Sequence, residues 1–216
     1  MEKRIIITIS RQYGSGGRLI GRKLAEQLEI PFLDRQLITD AASQCGLDED
    51  AVERLEEKTT SSLLYALSGG YATAAMVGDR VDMLPMNDRV FYVQSNLIRK
   101  AAREGSCVIV GRCADYILRN NPDAVHVYIH AELSVRIQRG IQYYGLTSEK
   151  AESVLLRMDR QRASYHNFYS DRKWGKAENY DLCINSGIIG LDHTVEVIRN
   201  YAEMKRVMRK EAKDLF

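Results

Sequence analysis

Residues 4–26, RIIITISRQYGSGGRLIGRKLAE, constrain this chain more than any other stretch. An apolar, β-branched run (Ile5, Ile6, Ile7, Ile9) meets a glycine cluster (Gly14, Gly16, Gly17). A helical pattern follows, with Ile20, Leu24 and Leu28 on one face. Strand, glycine turn and helix in that order aim backbone N–H groups and a helix N-terminus at one point, which suits an anion, most often a phosphate. Glycine is expected there because the chain must turn tightly, take positive φ and let a ligand approach the backbone.

The rest of the chain narrows the setting. Its 216 residues make one domain, or a domain with an inserted subdomain, large enough for a full hydrophobic core. A net charge of +2 gives no global basic character of the kind that binds nucleic acid or membrane surfaces. The 5–9 run is too short for a signal peptide, and no apolar run approaches the ~18 residues of a membrane span. Cys45, Cys107, Cys113 and Cys183 lack CxxC or zinc-finger spacing. Cys107 and Cys183 sit in apolar runs and read as buried free thiols, so the expected compartment is the reducing cytoplasm.

Five short apolar runs read as strands: 4–10, 31–34, 107–111, 125–130 and 182–185. Helical patterns occupy 18–29, 36–45, 48–57, 89–104, 112–120, 133–144, 148–167 and 192–213, with Asp48 and Thr147 as expected N-caps. Such alternation calls for a three-layer α/β fold around a parallel sheet. Two segments break the rhythm. Residues 59–87 are rich in small residues, glycine and methionine without a clean period, and read equally as a mobile subdomain, a lid or a subunit contact in a homo-oligomer. Residues 157–176, RMDRQRASYHNFYSDRKWGK, carry six basic residues against Asp159 and Asp171 and hold the only tryptophan.

Three phosphate-loop motifs compete for residues 11–21. A Walker A loop, GxxxxGK[ST], would put its first glycine on Arg11, its last on Gly16, its lysine on Gly17 and its hydroxyl on Arg18. A dinucleotide fingerprint, GxGxxG, matches Gly14 and Gly16, fails at Leu19, and gains Asp34 as a ribose-binding acid. The protein-kinase glycine loop lies between antiparallel strands, which the following helix rejects. Other residues favour a polyphosphate. Arg112 follows the strand CVIV, at the sheet edge where α/β proteins bind ligands. Arg18, with Arg22 one turn on, opposes the helix dipole and calls for a compensating anion. Arg157 and Arg160 share a helix face, and Arg162 lies opposite. His126 and His130 are roughly 13 Å apart along one strand, too far to share a metal. Tyr169 and Lys173 match a YxxxK spacing by chance. Val195, Ile198, Tyr201, Met204 and Met208 form a helical stripe expected in the core.

Four blocks in order, ITISRQYGSGGRLIGRKLAE, PFLDRQLI, CVIVGRCADYIL and RQRASYHNFYSDRKWGKAENYDLCINSG, resemble the cytidylate kinase-like family, related to bacterial CMP kinases among the P-loop nucleoside monophosphate kinases. The resemblance runs almost end to end. It implies a P-loop kinase fold with a five-stranded parallel sheet in a single domain, residues 1–216. An acceptor-binding region is inserted at about 36–104, and a helical lid lies at about 148–180. It implies Mg²⁺–ATP as donor, held by Tyr13, Gly14, Ser15, Gly16, Gly17 and Arg18, with Asp34 and Arg112 facing a nucleoside monophosphate or another small phosphate. Arg157, Arg160, Arg162 and Lys173 would act from the lid, with Arg18, in catalysis. The family's KWG block is present as Lys173, Trp174 and Gly175.

Several positions depart from true CMP kinases. The Walker lysine is Gly17, and the aspartate after Gly-Arg is Cys113, a neutral thiol that cannot accept a strong hydrogen bond from a cytosine amino group. In the lid, Gln161 replaces an acid and Ser164 an arginine. Ser10 and Ser15 are the nearest hydroxyls for Mg²⁺, though neither holds the usual position. Two rivals follow: a non-catalytic nucleotide-binding protein with a degenerate Walker loop, and an NAD(P)-dependent oxidoreductase resting on Gly14, Gly16 and Asp34.

Overall fold

A computed structural model describes residues 4–34 and 86–214. The chain divides into two compact units, Met1–Arg35 with Ile98–Phe216, and Gln36–Leu97. The expected helices 36–45 and 48–57 and residues 59–85 lie outside the described residues, as does most of the expected acceptor insertion.

The first unit is built on a five-stranded, all-parallel sheet. Its strands are β1 (Ile6–Arg11), β2 (Phe32–Leu33), β3 (Cys107–Val110), β4 (Ala124–His130) and β5 (Leu182–Asn185). They lie in the order β2-β3-β1-β4-β5. Ile6 pairs with Cys107 on one side and Ala124 on the other, so β1 is central. This order places β3, not β2, beside β1. A dinucleotide-binding sheet has β2 next to β1, so the topology removes the oxidoreductase reading.

The described helices are α1 (Gly17–Leu28), α2 (Met86–Glu104), α3 (Ala114–Ile117), α4 (Leu133–Tyr144), α5 (Ser148–Ser170) and α6 (Ser186–Asp214). The main core joins Ile5, just before β1, Ile7 and Ile9 of β1, and alternate residues of β4 (Val125, Val127, Ile129) to Ile20 and Leu24 of α1 and Val195 and Ile198 of α6. The expected stripe on α6 ends there: Ala202 is buried, whereas Met204 and Met208 are exposed. Cys107 is buried, and burial pushes its thiol up to about 11; Cys183, on edge strand β5, is exposed and corrects the expectation of a buried thiol.

Two helices differ in extent from the periodic pattern, and a third is capped differently. The helix expected at 112–120 shrinks to α3, because Gly111, Arg112 and Cys113 all take left-handed backbone (φ 82, 58 and 53). The helix expected from 192 begins at Ser186 and is broken at Gly190 (φ 78, ψ 175). Thr147 does occupy the N-cap of α5, but its hydroxyl makes no capping bond.

Candidate phosphate site

β1 delivers the chain to the carboxyl edge of the sheet, where residues 12–16 turn it into α1. The turn is pinned to β4: the Gln12 N–H donates to the Ile129 carbonyl at 3.0 Å, and Gln12 Oε1 accepts from the Ala131 N–H at 3.3 Å. Gly14 and Gly16 take φ 77 and 82, the positive values read from the sequence. Gly16 is the N-cap of α1 and has no side chain to cap it, and the first turn carries no acid. The start of α1 therefore has neither a capping side chain nor an acid in its first turn to compete with a bound anion.

Close packing against the chain itself, rather than ligand approach, makes glycine necessary here. A Cβ on Gly14 would lie 2.7 Å from the Arg136 carbonyl oxygen and 2.8 Å from Leu155 Cδ2. One on Gly16 would meet Leu191, and one on Gly17 would lie 2.6 Å from Arg11 Cβ. Ser15 is fully buried, with its hydroxyl donating to the Gln12 carbonyl at 2.8 Å.

Two helices clasp this turn. From α4, Arg139 donates to the Ser15 carbonyl at 3.1 Å and to Ser186, whose own hydroxyl also reaches the Ser15 carbonyl at 2.6 Å. Partial burial lowers the Arg139 pKa, yet an arginine stays charged. Buried Arg136 donates to Asp159 Oδ2 at 2.5 Å and to the Tyr13 carbonyl at 3.2 Å. From α5, Asp159 Oδ1 accepts the Tyr13 N–H at 2.7 Å, and Arg162 donates to the Arg11 carbonyl at 3.0 Å while lying 5.1 Å from the centre of the Tyr13 ring. Arg157, Arg160 and Lys173 are exposed to solvent.

Arg18 and Asp34, expected to face donor and acceptor, meet each other instead. Arg18 Nε lies 2.8 Å and Nη2 2.7 Å from Asp34 Oδ2. The anion that compensates Arg18 at the helix start is thus a carboxylate of the chain itself. Arg112 stands in the left-handed turn after β3, half-buried at the same sheet edge as the glycine turn. Cys113 is buried behind it, and burial raises its thiol well above the ordinary range, so it is neutral at pH 7.

A buried polar chain ties α5 to α3. Asp115 accepts from Ser10 at 3.2 Å and lies 2.7 Å from His166 Nε2; Ser170 Oγ lies 3.1 Å from His166 Nδ1. The order serine, histidine, aspartate is that of a hydrolase triad. Here, however, the Ser170 hydroxyl donates to the His166 carbonyl at 2.6 Å, and all three side chains are sealed from solvent. The chain anchors a helix.

Sequence reasoning missed Arg11, Arg136, Arg139 and Asp159. Arg136 and Arg139 were visible as cations three apart on a helix, and Asp159 as a lone acid among arginines; nothing local shows that they converge on one turn. The donor set fits a polyphosphate through the uncapped α1 and the surrounding guanidinium groups. It does not form a metal cage. The usual hydroxyl position is Arg18, the Ser10 and Ser15 hydroxyls are spent inside the chain, and among the described residues no group of three His, Cys, Asp or Glu could hold an ion.

Residues 6–188 match the sequence model of the cytidylate kinase-like family. The chain belongs to the cytidylate kinase-like family. A solved structure of an uncharacterized protein from Eubacterium ventriosum is 29% identical, with a TM-score of 0.70 over 93% of this chain and 99% of that one. The Thermus thermophilus protein TT1252 shares the fold at 14% identity and TM-score 0.51, over 93% and 98% of the two chains. A shikimate kinase from Bacteroides thetaiotaomicron aligns at 15% identity and TM-score 0.47, over 92% and 98%. No curated protein matches. This cytidylate kinase-like chain has the three-layer α/β P-loop kinase fold, and its family supports phosphoryl transfer in general. Among the described residues, no helix is long and apolar enough to cross a membrane.

Proposed function

We propose that this chain transfers a phosphoryl group from ATP to a nucleoside monophosphate of the CMP or dCMP type, or to a related small phosphate. The observation that carries the reading is the meeting of Arg162 with the glycine turn beside the uncapped N-terminus of α1. Phosphoryl transfer asks little covalent chemistry of a protein; it asks for alignment and for cations around the moving charge. ATP, when bound, supplies the phosphoryl group.

In this reading the amides of Gly14, Gly16 and Gly17 and the start of α1 hold the donor, with Tyr13 and Ser15 shaping the turn. Arg112 holds the acceptor phosphate, and the Arg18–Asp34 pair lines the approach. Arg162 neutralises charge from α5; Arg157, Arg160 and Lys173 are further cations on the same segment. Mg²⁺ would arrive with the nucleotide as its counter-ion, since the described residues offer no metal cage of their own. The neutral Cys113 argues against strict cytosine selectivity. The Gly17 substitution and the pairing of Arg18 favour the second reading, a nucleotide-binding protein without turnover.

Arg162→Ala separates the two. Arginine fingers contribute about 10³–10⁵ in rate. ADP formation from Mg²⁺–ATP and a mixture of nucleoside monophosphates should therefore fall at least about 10³-fold, while ATP affinity by calorimetry changes less than about tenfold. Equal ADP formation in both proteins, or none in the wild type, would contradict the proposal.

A further inference from the structure

Laid on a Walker A frame, this chain exchanges two residues. The position that is normally glycine is Arg11, and the position that is normally lysine is Gly17. The structure shows these two positions in contact. Arg11 closes β1 and Gly17 opens α1, and a Cβ built on Gly17 would lie 2.6 Å from Arg11 Cβ and 2.7 Å from Arg11 Cγ. The Arg11 stem therefore fills the space in which a side chain at 17 would begin. Its guanidinium ends against Gly111: Cζ would be 3.1 Å and Nη2 3.3 Å from a Cβ there. Gly111 directly follows β3 at φ 82, donates its N–H to the Ile9 carbonyl at 3.0 Å, and precedes Arg112. Arg11 thus runs from the end of β1, across the first residue of α1, to the turn that carries Arg112.

We infer that Arg11 is the cation that replaces the Walker lysine and contacts the terminal phosphates of the donor nucleotide. The assignment rests on the donor reading proposed above. It accounts for two glycines at once, since Gly17 and Gly111 both give room to the same side chain. It also accounts for the choice of arginine. A guanidinium reaches the site from the opposite end of the loop, keeps its charge under all conditions and can contact phosphate through two N–H groups. Arg18, the cation next to the lost lysine in sequence, is held by Asp34 instead.

The test exploits the exchange. Arg11→Met keeps the aliphatic stem over Gly17 and removes the charge; Arg11→Gly removes both; Arg11→Gly with Gly17→Lys rebuilds a conventional loop. Affinities for ATP and ADP are measured by calorimetry, turnover by ADP formation, and folding by melting without nucleotide. A charge-assisted contact to phosphate should cost about 10–100-fold in ATP affinity when lost, with a smaller change for ADP. Turnover should fall about 10²–10³-fold. The rebuilt loop should recover at least tenfold of the ATP affinity lost in Arg11→Gly, whereas Gly17→Lys alone should melt below the wild type. Unchanged ATP affinity in Arg11→Met, with a wild type that binds ATP, overturns the assignment. Loss without recovery in the rebuilt loop also overturns it, leaving Arg11 as packing alone. A wild type that binds neither ATP nor ADP fails the donor reading itself.

Discussion

His126 is a half-buried histidine in the middle of β4, its Nδ1 2.8 Å from Thr8 Oγ1. Burial is the largest influence on it and lowers its pKa; Asp115 and Asp181 act to raise it, Lys205 and Arg172 to lower it. The folded chain therefore holds this proton less tightly than the unfolded chain, and the linkage has a definite sign. Below about pH 6.5 the unfolded state gains a proton first, so stability declines as pH falls from there toward the folded value. Urea unfolding between about pH 5 and pH 8 should show this slope, and His126→Gln should flatten it. An equal slope in both proteins would contradict the assignment. At this scale the sequence reveals conformations better than partners. Positive φ at Gly14 and Gly16 was legible because a tight turn into a helix demands it. The reason for Gly17 was not, because it lies in the Arg11 stem six positions earlier. Nor was the Arg18–Asp34 pair, which forms only once β2 joins the sheet.

Among the elements, α5 joins α4 in holding the glycine turn. Asp159 accepts from the Tyr13 backbone and from Arg136, and both side chains are largely buried, at 14% and 6% exposure. Breaking such a pair from one side leaves the other charge buried without its partner, at a cost of about 3–5 kcal/mol. Asp159→Ala should therefore melt well below the wild type, and amide exchange at Tyr13 should quicken. A wild-type melting temperature would show that the pair is worth little. Helix α4 was read from its pattern without error in extent, since nothing interrupts its period. Helix α3 was overestimated because three successive left-handed residues are invisible to apolar spacing. Met204 and Met208 were placed in the core by a stripe that continues past the buried Ala202.

Over the whole molecule, the alternation of apolar runs and helical patterns led directly to the parallel α/β sheet. The strand order did not follow from it, because β1 pairs with β3 across about a hundred residues of intervening chain. That order differs from a dinucleotide-binding sheet and puts the glycine turn and Arg112 at one edge. Convergence of this kind is a property of topology, and only the family resemblance carried it in advance. The central claim is transfer from ATP to a nucleoside monophosphate without a Walker lysine. The most direct measurement incubates the chain with Mg²⁺–ATP and CMP, dCMP, UMP, AMP or GMP and resolves the products by chromatography, with Arg112→Ala alongside. The account predicts a nucleoside diphosphate that disappears in the variant; an ATP-binding protein that yields no diphosphate from any of the five would contradict it.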